Sequence, residues 1–400
     1  MKVTINKSRL CGIVQAPPSK SMAHRYLICA ALAKTPCTIN NIALSKDIEA
    51  TINCLMALGV NVNVTKTEAD VNGYNIFSKT DTLPCYESGS TLRFMIPICL
   101  MANKEITLCG TERLFARSLD IYKELCDERG FLFKQAKNSV TLKGNLTSGK
   151  YTVRGDVSSQ FISGLLFALP LLKGDSIIEI TGKLESAPYI DMTIAAQREF
   201  GVEVNRCDNI ITVKGGQCYK AVNATVEGDC SNAAFFDALS VLGHNVHVTG
   251  IDKNTLQGDY IFYDYFEKLK NDAPTLDVGN CPDLAPILMA VAAAKNGCTL
   301  INTSRLKIKE SDRGRAMADE LEKFFVKTEL YDNSIVVGYG AKEPKEVLCS
   351  HNDHRIVMSC AVLCTIFGGT IDGAEAVSKS LPDFFERITQ LGVEVNYETE

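Results

Sequence analysis

An α/β fold of two domains, each built from three copies of one unit, is predicted by three features of this sequence. A pattern of amphipathic helix, Gly, alternating strand, polar turn and second strand recurs along the chain. Its clearest glycines, Gly59, Gly130 and Gly201, lie 71 residues apart each time. The chain has 400 residues, 46% hydrophobic and 22% charged, which is ordinary globular composition but more than one hydrophobic core usually serves. The period is too long for a thin solenoid, whose repeats run to roughly 20–47 residues, and favours larger units.

Taken in order, Lys2 to Asn6 and Arg9 to Val14 read as strands. The unit then appears at Ala57 to Val64 (ALGVNVNV), Glu128 to Gly144 (ERGFLFKQAKNSVTLKG) and Glu199 to Gly215 (EFGVEVNRCDNIITVKG). Each Gly sits just past the last helical turn, where a left-handed cap is needed, and the Val-x-Val alternation after it is a half-buried strand. Weaker copies at Phe266 to Gly279, Leu321 to Gly340 and Gln390 to Tyr397 bring the count to six, the last with its final strand cut short. The N-terminal strand is placed to complete the C-terminal domain. The chain then divides into an inserted domain, 18–227, and a second domain of 1–17 plus 228–400. Two crossings, near Ala16 to Ser19 and Val226 to Asp229, join them, and Pro17 and Pro18 stiffen the first.

Composition narrows the function. The opening MKVTINKSRLCG lacks the apolar run of a signal peptide. The longest apolar stretches, Phe161 to Leu172 and Leu284 to Ala294, fall short of the ~18 residues a membrane span needs. Sixteen cysteines are scattered singly through apolar segments, as reduced core residues of a cytoplasmic protein would be. Cys349, His351, Asp353 and His354 come nearest to a metal cluster, but their spacing fits no zinc pattern, so no metal and no cofactor are expected. A net charge of -5 without a long basic block argues against nucleic acid or an anionic membrane as partner. Small anions remain possible ligands, because they respond to a few local residues.

Three turns enter apolar helix patterns with Ser at the cap positions: Ser19-Lys20-Ser21 with Arg25 following, Glu87-Ser88-Gly89-Ser90-Thr91, and Asp156-Val157-Ser158-Ser159-Gln160. Backbone N–H groups at a positive helix end suit an anion, and Gly89 lets the backbone approach a ligand. Taken alone, the first turn reads better as a plain Ser cap, and each of the other two could be only a cap. The second turn lacks the Gly-Lys-Ser/Thr ending of a P-loop. Further basic residues stand at Arg113, Arg117, Lys307, Lys309, Arg313, Arg355 and Lys379, with carboxylates Asp283, Glu310 and Asp353 among them. Cations that bind phosphate and carboxylate, beside carboxylates that move protons, suit proton transfer on a multiply anionic substrate. Surface salt bridges would use the same residue types.

The motifs PSKSMAHR, ESGSTLR, RLFARSL, VSSQF, SAPYID, VEGDCSNAA, CPDLAPIL, IKESDR, NDHRIVM and SKSLPDFF, in this order from residue 17 to 385, resemble the 5-enolpyruvylshikimate-3-phosphate synthase family. The resemblance implies a two-domain inside-out α/β barrel, each domain of three βαβαββ repeats, with two hinge crossings. It implies transfer of the enolpyruvyl group of phosphoenolpyruvate to the 5-hydroxyl of shikimate 3-phosphate, on the route to chorismate and the aromatic amino acids, by a cytoplasmic monomer without cofactor. Lys20, Ser21, Arg25, Ser158, Ser159, Gln160, Ser186, Tyr189, Asp283 and Lys309 are similar to the family's shikimate 3-phosphate contacts. Lys20, Gly89, Arg117, Gln160, Arg313, Arg355 and Lys379 are similar to its phosphoenolpyruvate contacts.

The resemblance further makes Asp283 the acceptor of the 5-hydroxyl proton and Glu310 the donor to the methylene carbon, with Lys20 also catalytic. Two positions depart from the family pattern: Glu87 and Arg305 stand where many members have Asn, so the Asn role is not carried onto Arg305. The sister family that transfers enolpyruvate to UDP-N-acetylglucosamine has Lys-Asn in place of Lys20-Ser21 and a loop cysteine that Gly110 to Ser118 lacks. A protein that only binds an anion would be weakened by Asp283 and Glu310 beside phosphates.

Overall fold

The glycine junctions behave as the repeat pattern predicts. Gly59 ends the Lys46–Leu58 helix at φ 106°, in the left-handed region, and the Asn61–Val64 strand follows. Gly130 at φ 67° and Gly201 at φ 75° make the same transition after the Asp120–Glu128 and Ala187–Glu199 helices. The structure, a computed structural model, describes residues 1–79 and 81–398. They form two compact units, one within 18–227 and the other of 1–17 with 228–398.

In the 18–227 unit one complete copy runs Thr82–Tyr86, Gly89–Leu100, Ile106–Gly110, Asp120–Glu128, Leu132–Gln135 and Ser139–Lys143, a βαβαββ order. Its first two strands pair in parallel, the second pairs antiparallel with the last, and the last two form a hairpin. The next copy, from Lys150–Arg154 to Ile210–Val213, repeats this pairing. The remaining copy takes its leading strand from the end of the unit, where Ala224–Thr225 pairs in parallel with Cys37–Asn40.

The other unit holds one complete copy, from Thr275–Asp277 to Ser334–Val337. A second copy borrows from the N-terminus: Lys2–Ile5 lies antiparallel between Gly369–Asp372 and Val395–Glu398. The third departs from expectation. Cys11–Gln15 pairs in parallel with Asn245–Thr249, but after the Phe262–Asn271 helix no hairpin follows. The chain passes directly to Thr275–Asp277, which belongs to the next copy and pairs in parallel with Cys298–Ile301. The alternating residues between Phe266 and Gly279 are therefore one parallel strand, because a short alternating run is compatible with either kind of pairing.

The sheets lie outside and the helices inside. Strands such as Lys150–Arg154 alternate buried and exposed residues, whereas the Gly89–Leu100 and Ser159–Ala168 helices are buried at every position but one. A helix apolar around its whole circumference belongs in a core. No sheet closes into a barrel among the described residues. Pro97 inside the Gly89–Leu100 helix removes the N–H that would meet the Arg93 carbonyl one turn earlier. The single proton of Tyr122 Oη is shared between that carbonyl, at 2.8 Å, and the Phe161 carbonyl, at 3.0 Å, tying the two central helices together. A Cβ on Gly164 would collide with both Tyr122 Oη and the Arg93 carbonyl, so only glycine permits this approach. Among the described residues no helix is long and apolar enough to cross a membrane.

Candidate functional site

In the 18–227 unit the three Ser-rich turns become the N-termini of the equivalent first helices of the three copies. Ser19, Ser88 and Ser158 are the caps of the Lys20–Leu32, Gly89–Leu100 and Ser159–Ala168 helices, accepting from the N–H of Met22, Thr91 and Gln160. Side chains join the second and third of these ends, and the first is held from the Lys46–Leu58 helix. Lys20 Nζ meets Asp47 Oδ2 at 2.9 Å. Gln160 accepts from Arg93 Nη1 at 3.0 Å and donates to Ser90 Oγ at 2.9 Å. Ser159 is buried at the first residue of its helix. Arg117 lies over Gly89, where a Cβ would fall 2.6 Å from its Nη1.

Arg25 is buried and binds protein groups at each of its nitrogens. Nε donates to Thr193 Oγ1 at 2.9 Å, Nη1 to the Ser21 carbonyl at 2.5 Å and Nη2 to the Tyr189 carbonyl at 2.7 Å. Burial lowers its pKa to about 10, which still leaves it charged at neutral pH. Three of its five N–H groups are thus engaged, and two are left to meet an anion. Tyr189 follows Ser186, a buried non-glycine residue at φ 56° that starts the Ala187–Glu199 helix. The structure thereby joins Lys20, Ser21, Arg25, Tyr189 and Ser186 into one corner.

The other unit carries a denser constellation. Asp283, in the turn before the Ala285–Ala294 helix, accepts from Arg313 Nη1 at 2.6 Å and from Arg355 Nη2 at 2.8 Å, with Lys309 Nζ at 3.8 Å. Burial pushes this carboxyl up, but Arg355, Lys309 and Arg313 together outweigh burial and hold it well below the usual carboxylate range. Asp353, fully buried as cap of the His354–Phe367 helix, accepts from Arg313 Nε at 2.9 Å and Ser311 Oγ at 3.0 Å. Glu310 meets His354 Nδ1 at 2.9 Å and Arg313 Nη2 at 3.9 Å. Lys379 Nζ donates to the Asn352 carbonyl at 2.7 Å. Arg305 is buried in the Ser304–Ile308 turn, and Glu87 accepts from Thr111 Oγ1 at 3.4 Å.

The four residues weighed as a metal cluster do not converge: His351 Nε2 turns to Glu320 Oε1 at 2.8 Å, while Cys349 Sγ accepts from the His351 N–H. A different trio, Glu310, Asp353 and His354, has donor atoms within 4.8 Å of one another. Arg313 bonds to Asp353 and approaches Glu310, so a guanidinium already supplies the positive charge between these carboxylates. Sequence reasoning passed over Asp47, Arg93, Ser311 and the His354–Glu310 pair. The one sequence signal was polar side chains inside apolar helix patterns, of which Arg93 and His354 are examples.

A family model for EPSP synthase (3-phosphoshikimate 1-carboxyvinyltransferase) matches residues 5–388. Proteins named 3-phosphoshikimate 1-carboxyvinyltransferase from Clostridium kluyveri and Clostridium acetobutylicum are each 40% identical, with 98% of this chain and 98% of theirs covered. A solved EPSP synthase from Acinetobacter baumannii shares the fold at a TM-score of 0.79, with 23% identity over 99% of this chain and all of that one. With the repeats, the clustered cations and the match over nearly its whole length, the chain belongs to the EPSP synthase family.

Proposed function

We propose that this chain transfers the enolpyruvyl group of phosphoenolpyruvate to the 5-hydroxyl of shikimate 3-phosphate, giving 5-enolpyruvylshikimate 3-phosphate and phosphate in the shikimate pathway. The observation that carries the assignment of residues is Asp283 among Arg313, Arg355 and Lys309, with Glu310 adjacent. Lys20, Ser21, Arg25, Ser158, Ser159, Gln160, Ser186 and Tyr189 bind shikimate 3-phosphate, joined by Lys309 and Asp283. Gly89, Arg117, Gln160, Arg313, Arg355 and Lys379 bind phosphoenolpyruvate, with Lys20 reaching both substrates.

The reaction follows from these groups. Glu310 gives a proton to the methylene carbon, and positive character builds on the neighbouring carbon. The 5-hydroxyl oxygen attacks that carbon as Asp283 takes its proton. The tetrahedral adduct then returns a proton from its methyl group to the Glu310 carboxylate and expels phosphate, its C–O bond breaking with the electron pair left on the phosphate oxygen, so that the carbon–carbon double bond re-forms as an enol ether. Without substrate Asp283 is a weak base, since both its oxygens face guanidinium groups. The phosphate and carboxylate of phosphoenolpyruvate compete for Arg313 and Arg355, and as they take those donors the Asp283 carboxylate gains basicity. Substrate binding thus prepares the base. His354 holds the Glu310 carboxyl through Nδ1.

The test is phosphate release by the purified, chelator-treated protein given phosphoenolpyruvate with shikimate 3-phosphate, and separately with UDP-N-acetylglucosamine. Release with the first pair alone is expected. Release with the second alone overturns the substrate assignment. The proposal includes a monomer in the cytoplasm, checked by light scattering and cell fractionation.

A further inference from the structure

A buried chain of hydrogen bonds runs from His24 to the Glu87-Ser88-Gly89 turn. His24 Nδ1 lies 2.7 Å from Thr51 Oγ1, Thr51 Oγ1 lies 2.7 Å from Thr91 Oγ1, and Thr91 Oγ1 donates to Ser88 Oγ at 2.8 Å. All four residues are buried, His24 and Ser88 at 1% and 2% exposure.

Counting protons gives the chain a direction. A threonine hydroxyl has one proton. Thr91 directs its own to Ser88, with the Asp47 carbonyl a longer second acceptor at 3.4 Å, so it must accept from Thr51. Thr51 has then used its proton, and the contact to His24 must be Nδ1–H donating to Thr51. His24 is therefore the Nδ1–H tautomer, with a bare Nε2 that has no hydrogen-bond partner among the described residues. Burial, with Lys20 and Arg25 nearby, lowers the imidazole pKa and keeps it neutral.

At the other end Ser88 Oγ accepts twice, from the Thr91 N–H at 3.3 Å and from Thr91 Oγ1. Both lone pairs are engaged, and its own proton finds no acceptor among the described residues. At 2% exposure, bulk water is not its default partner. Ser88 caps the helix that begins at Gly89, under the Arg117 guanidinium. A hydroxyl proton without an acceptor, beside helix N–H groups and an arginine, suits an anionic oxygen.

We propose that Ser88 is a further binding residue for phosphoenolpyruvate, donating its hydroxyl proton to an oxygen of that anion, and that His24, through Thr51 and Thr91, is the positioning residue that fixes the proton's direction. The proposal rests on the reading of the Gly89 turn as part of the phosphoenolpyruvate site. Replacing His24 by an apolar residue lets Thr51 and Thr91 reverse, so that Ser88 can turn its proton inward.

Two measurements test it. Nitrogen NMR of histidine-labelled protein without substrates is expected to show His24 neutral with the proton on Nδ1; a proton on Nε2 overturns the chain whatever the turnover result. In steady-state kinetics Ser88→Ala should raise KM for phosphoenolpyruvate about 10-fold, the lower end for a hydrogen bond to a charged group, without moving KM for shikimate 3-phosphate. His24→Leu should raise the same KM, His24→Asn should restore it because its amide can donate to Thr51, and His24→Leu with Ser88→Ala should be no worse than Ser88→Ala. Multiplying effects, or an unmoved KM in Ser88→Ala, overturn the proposal. If His24→Leu does not fold, Thr51→Val takes its place in the cycle. Wild-type protein that turns over neither substrate pair refutes the functional reading instead, and the tautomer is decided separately.

Discussion

Replacing Asp283 by Asn separates the charge of this side chain from its shape. The wild-type carboxylate accepts at 2.6 Å from Arg313 and 2.8 Å from Arg355, two arginines that are 2% and 4% exposed. Hydrogen bonds to charged groups are each worth about 1.5–3 kcal/mol, and breaking a buried ion pair from one side costs about 3–5 kcal/mol. The amide in Asp283→Asn still offers one carbonyl oxygen, so the expected loss of unfolding free energy without ligand is about 2–4 kcal/mol. Phosphoenolpyruvate or inorganic phosphate should restore part of that loss, since the anion supplies the negative charge the arginines have lost. Turnover has no such substitute. Loss of a general base costs roughly 10²–10⁴-fold, about 3–5 kcal/mol in the barrier. The assays are phosphate release under saturating substrates and urea unfolding with and without phosphate. Near-normal kcat would remove Asp283 from the base role. A stability loss that phosphate leaves unchanged would refute the idea that substrate anions take over its arginines.

Two further predictions follow from the geometry. Gly89→Ala puts a Cβ 2.6 Å from Arg117 Nη1, the far end of a flexible side chain, so Arg117 is displaced while the fold persists. KM for phosphoenolpyruvate should rise about 10-fold, the size of one lost hydrogen bond to a charged group, and an unmoved KM would separate Arg117 from that substrate. The carboxyls of Asp283 and Asp353 are both held below their ordinary range; burial opposes this, but Arg355 with Lys309 and Arg313 outweigh it at Asp283, and Arg313 with His354 at Asp353. Their stabilisation is therefore fully present above the unfolded-state value of about 4 and is lost as pH falls through the lower folded values. Urea midpoints measured from pH 5 to pH 2 should drop, and Asp353→Asn should flatten that slope; an unchanged slope would show that the carboxylate does not act this way.

Much of the architecture was legible in the chain itself because its signals are local. Gly59, Gly130 and Gly201 mark helix ends because only glycine takes the left-handed cap cheaply, and the alternation after each declares a strand. Ser19, Ser88 and Ser158 marked helix starts for the same kind of reason: a side-chain oxygen meets the N–H groups a first turn leaves unpaired. Equal spacing then implied repetition. Pairing partners are not local. The alternating run near Thr275 looked like part of a hairpin and is a parallel strand of the next copy, because alternation reports one buried face and says nothing about which strand lies beside it.

The same divide runs through the site. That Asp283, Glu310, Arg313 and Arg355 belong to anion chemistry could be argued from residue type and motif order. That both oxygens of Asp283 face arginines 30 and 72 positions away, and that Arg313 also holds Asp353, was decided by packing. Its consequence, a carboxylate too weakly basic until substrate claims its partners, could not be read from a linear order of charges. His24 is the sharpest instance. In sequence it is a histidine on an apolar helix, and only the approach of Thr51 and Thr91 from two other helices turns it into the fixed end of a proton-directed chain. Composition and periodicity determined which elements form, since they depend on neighbours along the backbone. Charge state, tautomer and hydrogen-bond direction depend on neighbours through space, and the tertiary fold alone supplies those.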